Sequence, residues 1–172
     1  ILFECNKNTK QSSIKRITGG VKMKAVVLHG PNDFATEEIK KPEIGDHEML
    51  LKMRKAAICG TDMRIFAGTK TKGIRYPSVV GHEMCGDICE VGKEVEGFRA
   101  GDRVSIANVI PCGSCPACLE GRENACMNRK AIGYEFDGGF EEYVLPPEIL
   151  IKSGNVVKLP EDVSYTAGAL IE

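Results

Sequence analysis

The sequence predicts a mainly β domain, folded as a closed or partly open barrel of short strands with a few short helices. Its 172 residues include 19 glycines and 8 prolines spread along the chain, which is typical of strands joined by tight turns. Stretches with strand character recur at roughly ten-residue spacing. Four cysteines interrupt this pattern between residues 111 and 127. A barrel with an inserted cysteine lobe accounts for all three observations.

The predicted elements follow from apolar stretches bounded by glycine, proline or acidic turn residues. In chain order, the predicted strands are residues 24–28, 35–40, 49–57, 84–91, 102–108, 140–145 and 156–159. A short helix is predicted over residues 62–66, with Thr61 or Asp62 as its N-cap. A second helix is predicted to begin at residues 162–164.

The first 22 residues differ from the rest in composition. They carry five lysine or arginine side chains against one acid, Glu4, and end near a Gly-Gly pair. We interpret residues 1–22 as a flexible or non-native extension and residues 23–172 as one domain. No Gly-x-Gly-x-x-Gly motif occurs, so we expect the chain to lack a Rossmann cofactor domain. Because a helix is just starting where the chain stops, we expect a truncated longer protein.

The bulk composition excludes some classes of function. The chain is 42% hydrophobic and 27% charged, with a net charge of -1, which does not favour binding to nucleic acid or to a membrane surface. It has no apolar run of the ~20 residues that a membrane span needs. The N-terminal segment lacks the apolar core of a signal peptide. We therefore predict a cytoplasmic protein, in a reducing compartment that suits thiolate metal ligands.

The cysteine lobe has the spacing of a structural zinc site. Its four members are Cys112, Cys115, Cys118 and Cys126, in a C-x2-C-x2-C-x7-C pattern. Zinc prefers four thiolates at about 2.3 Å in a tetrahedron. The segment has little apolar material with which to order itself, so a metal is a plausible source of its order. Free or disulfide-bonded cysteines and an iron–sulfur cluster are the alternatives, and the late fourth cysteine weakens the latter.

A second potential metal set is dispersed along the chain. Cys59 follows a predicted strand, and His82 and Glu83 precede another. Cysteine, histidine and a carboxylate on separate loops, with one position left open, form the ligand set of a catalytic zinc. Spacing alone leaves open that the cysteine and the histidine are core residues.

Several motifs in these regions resemble those of the zinc-containing medium-chain dehydrogenases, and within that family the polyol and threonine dehydrogenase branch. They are CGTD at 59–62, GHE at 81–83, VGKEVEGFRAGDRV at 91–104, the four-cysteine lobe and GGFEEYV at 138–144. The resemblance covers residues 23–172. It implies a GroES-like, partly open β-barrel with the four cysteines holding a structural zinc in a lobe at 111–127.

The resemblance also implies roles for individual residues. Cys59, His82 and Glu83 would be ligands of a catalytic zinc, and Glu172 would bind that zinc directly or through water. Thr61 would take the proton from the substrate alcohol, and Asp62 would orient His82. Many relatives have a proton-relaying histidine where this chain has Arg64, which cannot relay protons near neutral pH. Water could relay instead, or Arg64 could bind an anionic or cofactor phosphate group, or it could be simply an exposed side chain.

The function implied is that of a catalytic domain. With zinc as Lewis acid, the parent protein would transfer hydride from a secondary alcohol or polyol to NAD(P)⁺. We expect two zincs per chain, a parent that is a homodimer or homotetramer, no nucleic-acid or membrane partner, and no turnover by the 172 residues alone. The alternative is a zinc-binding interaction module without catalysis, which the negative net charge of residues 23–172 disfavours for nucleic acid. The sequence does not choose among alcohols or between NAD and NADP.

Overall fold

The structure is a computed structural model that describes residues 20–171. Its strands are β1 (Lys22–Gly30), β2 (Asp33–Lys40), β3 (Met49–Ala57), β4 (Ser78–Val79), β5 (Glu83–Val91), β6 (Arg103–Ile106), β7 (Val109–Ile110), β8 (Lys130–Ala131), β9 (Tyr143–Val144) and β10 (Val156–Lys158). Its α-helices are α1 (Gly60–Phe66), α2 (Pro116–Leu119), α3 (Glu148–Lys152) and α4 (Tyr165–Ala169). The mainly β prediction is confirmed. Most of the predicted extension, with Cys5, and the predicted ligand Glu172 lie outside the described residues.

The strands form three antiparallel sheets. The largest has the order β10-β6-β5-β3-β9, a second has the order β2-β1-β4, and β7 pairs with β8. Residues 20–171 therefore contain no closed ring of strands, which favours the partly open form of the predicted barrel over the closed one. Lys22, the first residue of β1, already pairs with Lys40 of β2. The first strand therefore begins inside the segment interpreted as an extension.

One segment connects the two larger sheets. The carbonyl of Phe140 accepts from Val26 of β1, and the carbonyl of Glu142 accepts from Met53 of β3. The strand to which these backbone carbonyls bind thus changes from β1 to β3 within three residues. The predicted strand 140–145 is consequently reduced to the two residues of β9, because a regular ladder with one neighbour cannot continue through the change.

The main core lies on the inner face of the largest sheet. Its fully buried side chains come from β3, β5, β6, β9, β10, α3 and the segment around β7 and β8, and include Met49, Leu51, Met84, Ile88, Val104, Ile106, Ile132, Val144 and Leu150. Burying a side chain of this size contributes about 1.5–3 kcal/mol. This packing fixes the ends of β3 and β5, next to which the candidate site residues lie.

None of the helices in the described range is both long and apolar enough to cross a membrane. The helix predicted over 62–66 is present but begins earlier, at Gly60, with Cys59 rather than Thr61 or Asp62 as its N-cap. The predicted strand 102–108 is shorter, at Arg103–Ile106. These differences shift element ends and not the order of elements.

Candidate metal centres

The first candidate centre lies where β3 leads into α1. Cys59 is extended (φ -109°, ψ 175°), and its sulfur accepts a hydrogen bond from the backbone N–H of Thr61 at 3.2 Å. The Asp62 carboxylate accepts in return from the Cys59 N–H at 2.9 Å. This reciprocal cap satisfies two backbone donors that a helix start would otherwise leave unpaired. The cap holds the Cys59 thiol in place at the start of α1.

His82 reaches the same point from the loop between β4 and β5. Its Nε2 lies 3.0 Å from the Cys59 sulfur. Gly81 precedes it with φ +97°, a backbone conformation that glycine adopts without strain. A Cβ on the nearby Gly138 would lie 2.1 Å from the Gly81 carbonyl oxygen, so the two backbones are in direct contact. The GHE and GGF motifs therefore act together to position the histidine.

Asp62 lies behind the histidine, and both side chains are buried. Asp62 Oδ1 is 3.3 Å from His82 Nδ1, within ion-pair distance but without hydrogen-bond alignment. Burial lowers the pKa of His82, but Asp62 and then Cys59 more than offset this and raise it to about 9. Without a metal, this raised pKa favours the ring protonated on both nitrogens. In the neutral ring that a metal binds, the carboxylate favours the proton on Nδ1 and leaves the Nε2 lone pair on the side of Cys59.

The donor set fits a zinc ion in type and in spacing. The ligand atoms of Cys59, Asp62 and His82 all lie within 4.8 Å of one another. Tetrahedral zinc would hold a sulfur and an imidazole nitrogen about 3.5 Å apart, so the 3.0 Å pair would have to open by only about 0.5 Å. Glu83 is not a member of this group: it is the first residue of β5, opposite Ala57. Its predicted role as a ligand stays a prediction, as does that of Glu172.

Three further side chains surround the pair. Thr61, the predicted proton acceptor, receives a hydrogen bond on its Oγ1 from Arg64 Nη2 at 2.9 Å. The Tyr134 ring meets the His82 ring edge-on, with 5.3 Å between centroids. Lys70 Nζ lies over the face of Tyr134, 4.8 Å from its centroid. No sequence pattern predicts the place of Tyr134, because a lone tyrosine far along the chain has no spacing that links it to His82.

The second candidate centre is the cysteine lobe. The sulfurs of Cys112 and Cys118 are 3.9 Å apart, those of Cys115 and Cys118 are 3.5 Å apart, and those of Cys115 and Cys126 are 3.8 Å apart. A tetrahedral zinc with four thiolates requires about 3.8 Å, whereas a disulfide bond requires about 2.05 Å. All four cysteines are free. The distances favour a shared metal over disulfide pairing.

The charges that the four cysteine thiols would carry also favour a bound cation. Backbone amides of Ser114 and Cys115 lower the pKa of Cys112 to about 6. Burial and then its neighbours Cys115 and Cys126 raise the pKa of Cys118 to about 12. Four thiolates this close repel one another unless a cation lies between them. Neither α2 nor the following 3-10 turn buries an apolar side chain, so the lobe has no core to order it.

Comparison with known proteins identifies the family. Residues 45–161 match the model of the alcohol dehydrogenase GroES-like domain. The chain belongs to this family. The predicted resemblance to zinc-containing medium-chain dehydrogenases and the predicted GroES-like fold are confirmed.

Individual relatives support the same assignment. An L-threonine 3-dehydrogenase of Shewanella is 43% identical over 134 residues, 77% of this chain but only 38% of that protein. A proposed zinc-binding dehydrogenase from Sinorhizobium meliloti, solved with NADP, is 36% identical with a TM-score of 0.79 over 88% of this chain and 42% of its own. Galactitol-1-phosphate dehydrogenase from Escherichia coli is 36% identical with a TM-score of 0.75, over 87% and 42%. The chain thus spans well under half the length of these relatives.

Proposed function

We propose that this GroES-like domain is the catalytic domain of a zinc-dependent oxidoreductase that transfers hydride from a secondary alcohol or polyol to NAD(P)⁺. The observation that carries the proposal is the 3.0 Å approach of the Cys59 sulfur to His82 Nε2, with a buried carboxylate behind the ring. The family and its named relatives, which are dehydrogenases of alcohols, support the same reaction class.

Two zinc sites follow from the proposal. Cys59 and His82 hold the catalytic ion, with Glu83 and Glu172 as further ligands, and Cys112, Cys115, Cys118 and Cys126 hold the structural one. Zinc at the first site supplies Lewis-acid chemistry that lowers the pKa of the substrate hydroxyl towards neutrality. Asp62 keeps the Nδ1 proton of His82 in place, so that Nε2 presents its lone pair. The capping bonds of Cys59 hold its sulfur at a fixed position.

Thr61 takes the proton of the alcohol. Its Oγ1 already accepts from Arg64, which leaves one lone pair to receive the proton while its own hydrogen passes to water. Arg64 cannot take that hydrogen, because its guanidinium stays protonated. In the balanced reaction, the C–H bond of the alcohol breaks as hydride leaves for NAD(P)⁺, and its O–H bond breaks as the proton passes to Thr61, which releases its own proton to water. A carbonyl forms, and Thr61 ends as a neutral hydroxyl.

The test uses the full-length protein reconstituted with zinc. Secondary alcohols, including butane-2,3-diol, galactitol, galactitol 1-phosphate and L-threonine, are offered with NAD⁺ and NADP⁺, and formation of reduced cofactor is followed by absorbance. We expect turnover of at least one alcohol, a loss of about 10²–10⁴-fold in Thr61→Ala, and partial retention in Thr61→Ser. Thr36→Ala, which removes an exposed hydroxyl from β2, serves as control.

The proposal would be refuted if protein that carries two zincs per chain formed no reduced cofactor with any of these alcohols. The 172-residue chain alone is expected to bind zinc without turning over any alcohol, because it contains no Gly-x-Gly-x-x-Gly cofactor motif. Turnover by that chain with NAD⁺ and sorbitol would contradict this second expectation.

A further inference from the structure

The segment next to the Cys59–His82 pair carries an excess of positive charge. Residues 61–75 contain four lysine or arginine side chains and one acid, Asp62. Asp62 is buried beneath His82 and does not face the cations. Arg75 pairs with Asp137. Within residues 20–171, no ion pair neutralises the remaining three, Arg64, Lys70 and Lys72.

Arg64 is the cation nearest to the proposed proton acceptor. Its exposed guanidinium donates one hydrogen bond, to Thr61 Oγ1 at 2.9 Å. A guanidinium has five N–H donors in a planar fork, so most of its donors remain available. One hydrogen bond therefore holds the guanidinium beside the Thr61 hydroxyl. Its pairs of parallel N–H donors remain free to bind an oxyanion.

Lys70 is linked to the same pair through Tyr134. Its Nζ sits over Tyr134, whose ring is edge-on to His82, and it also donates to the Lys72 carbonyl. The backbone N–H groups of Thr69 and Lys70 both donate to the Arg64 carbonyl, at 2.9 and 3.1 Å. The loop after α1 therefore folds back so that Lys70 and Arg64 come from one compact turn. One cation contacts the Cys59 side of the site through Thr61, and the other contacts the His82 side through Tyr134.

We propose, on the basis of the function proposed above, that the substrate is an alcohol bearing a carboxylate or phosphate group, and that Arg64 and Lys70 bind this group. Arg64 beside the Thr61 hydroxyl and Lys70 over Tyr134, neither of them in an ion pair of the described residues, attract an anion and offer a neutral polyol little beyond ordinary hydrogen bonds. Arg64 and Lys70 are thus specificity-determining residues. Their contribution is the positive charge that they bring to the site.

The experiment compares matched anionic and neutral alcohols on the zinc-loaded, full-length protein. The pairs are galactitol 1-phosphate with galactitol, and 3-hydroxybutyrate with butan-2-ol. We expect kcat/KM for at least one anionic member to exceed that of its neutral partner by about tenfold or more. Arg64→Gln and Lys70→Gln should each lower this ratio about 10- to 100-fold, chiefly by raising KM for the anion.

Controls separate charge from fold and from cofactor binding. Arg99→Gln removes another exposed arginine, outside the segment, and should leave the ratio unchanged. Arg64→Lys should restore part of the ratio. Added salt should raise KM for the anion in wild type more than in Arg64→Gln, because screening weakens an exposed charge pair. Preference for 3-hydroxybutyrate would identify the anion as a carboxylate, and preference for galactitol 1-phosphate as a phosphate.

Three outcomes would overturn the proposal. Equal kcat/KM for anionic and neutral members of both pairs would do so while leaving the dehydrogenase function intact. The proposal would also be overturned if Arg64→Gln raised KM for NAD⁺ or NADP⁺ and left the anionic-to-neutral ratio of kcat/KM unchanged. That result would make Arg64 a cofactor-binding residue. Absence of turnover on every alcohol would overturn the proposed function and this inference together.

Discussion

Replacing Asp62 by asparagine tests how the protein prepares His82 for a metal. Asp62 is 3% exposed and contacts two metal-site residues at once, through Oδ1 to His82 Nδ1 at 3.3 Å and through Oδ2 to the Cys59 N–H at 2.9 Å. Asparagine can keep the second contact, because its carbonyl oxygen still accepts from Cys59. Its amide group would then face Nδ1 with a donor and favour the tautomer whose proton is on Nε2.

The expected magnitude follows from that change of tautomer. A proton on Nε2 blocks the lone pair that points to Cys59, so zinc must bind against the preferred tautomer. Loss of such a carboxylate partner typically lowers metal affinity 10- to 100-fold, or about 1.4–2.7 kcal/mol. The four-cysteine site makes no contact with Asp62 and should keep its affinity.

The assay is a zinc competition titration against a chromophoric chelator, with metal analysis of the stoichiometry. In wild type we expect two binding steps, and in Asp62→Asn only the step assigned to Cys59 and His82 should weaken. Asp46→Asn, which alters a carboxylate 61% exposed and paired with Lys93, is the matched control. Zinc affinities within about twofold of wild type at both sites in Asp62→Asn would refute the assigned role of Asp62.

Three further predictions concern the lobe, the site scaffold and pH. Cys118→Ser should reduce bound zinc from two ions to one per chain and speed proteolysis between residues 111 and 127, which mass spectrometry can locate; an unchanged stoichiometry would contradict the lobe assignment. Gly138→Ala places a Cβ 2.1 Å from the Gly81 carbonyl oxygen and should lower the free energy of unfolding by about 1–3 kcal/mol in chemical denaturation, whereas wild-type stability would argue against this close contact. Burial and then the charge of Asp137 raise the pKa of Glu141 from its ordinary value of 4.5 to about 8. The folded state therefore binds the extra proton between these two pH values, and stability should fall as pH rises from about 4.5 to about 8. Glu141→Gln should raise the melting temperature at pH 8 more than at pH 5, and an equal change at both would count against the buried position of this carboxyl.

Local sequence patterns predicted the fold best where the determinants are close in sequence. The bounds of β3 were predicted residue for residue, because a turn segment ending at His47 precedes the strand and Gly60 follows soon after it. The cysteine lobe was predicted from spacing alone, since three of its four ligands lie on one short loop. By contrast, the split of segment 140–144 between β1 and β3 depends on the relative placement of two sheets, which no local pattern encodes.

The same contrast between local patterns and long-range folding applies to the residues of the candidate site. The roles of Cys59 and His82 were predicted through family motifs, and the structure brings the two together. The N-cap at Cys59 was missed because cysteine is not a favoured capping residue by propensity; here its thiol accepts the bond that serine or aspartate usually accepts. Tyr134 was missed as a neighbour of His82, because it arrives there only through long-range folding.

The central claim is that Cys59 and His82 bind one zinc ion. Anomalous diffraction at the zinc absorption edge, from crystals of the full-length protein, tests it directly. We predict two anomalous peaks per chain, one among the four lobe cysteines and one about 2.0–2.3 Å from both the Cys59 sulfur and His82 Nε2. A single peak in the lobe, with no density between Cys59 and His82 in zinc-replete crystals, would contradict the account.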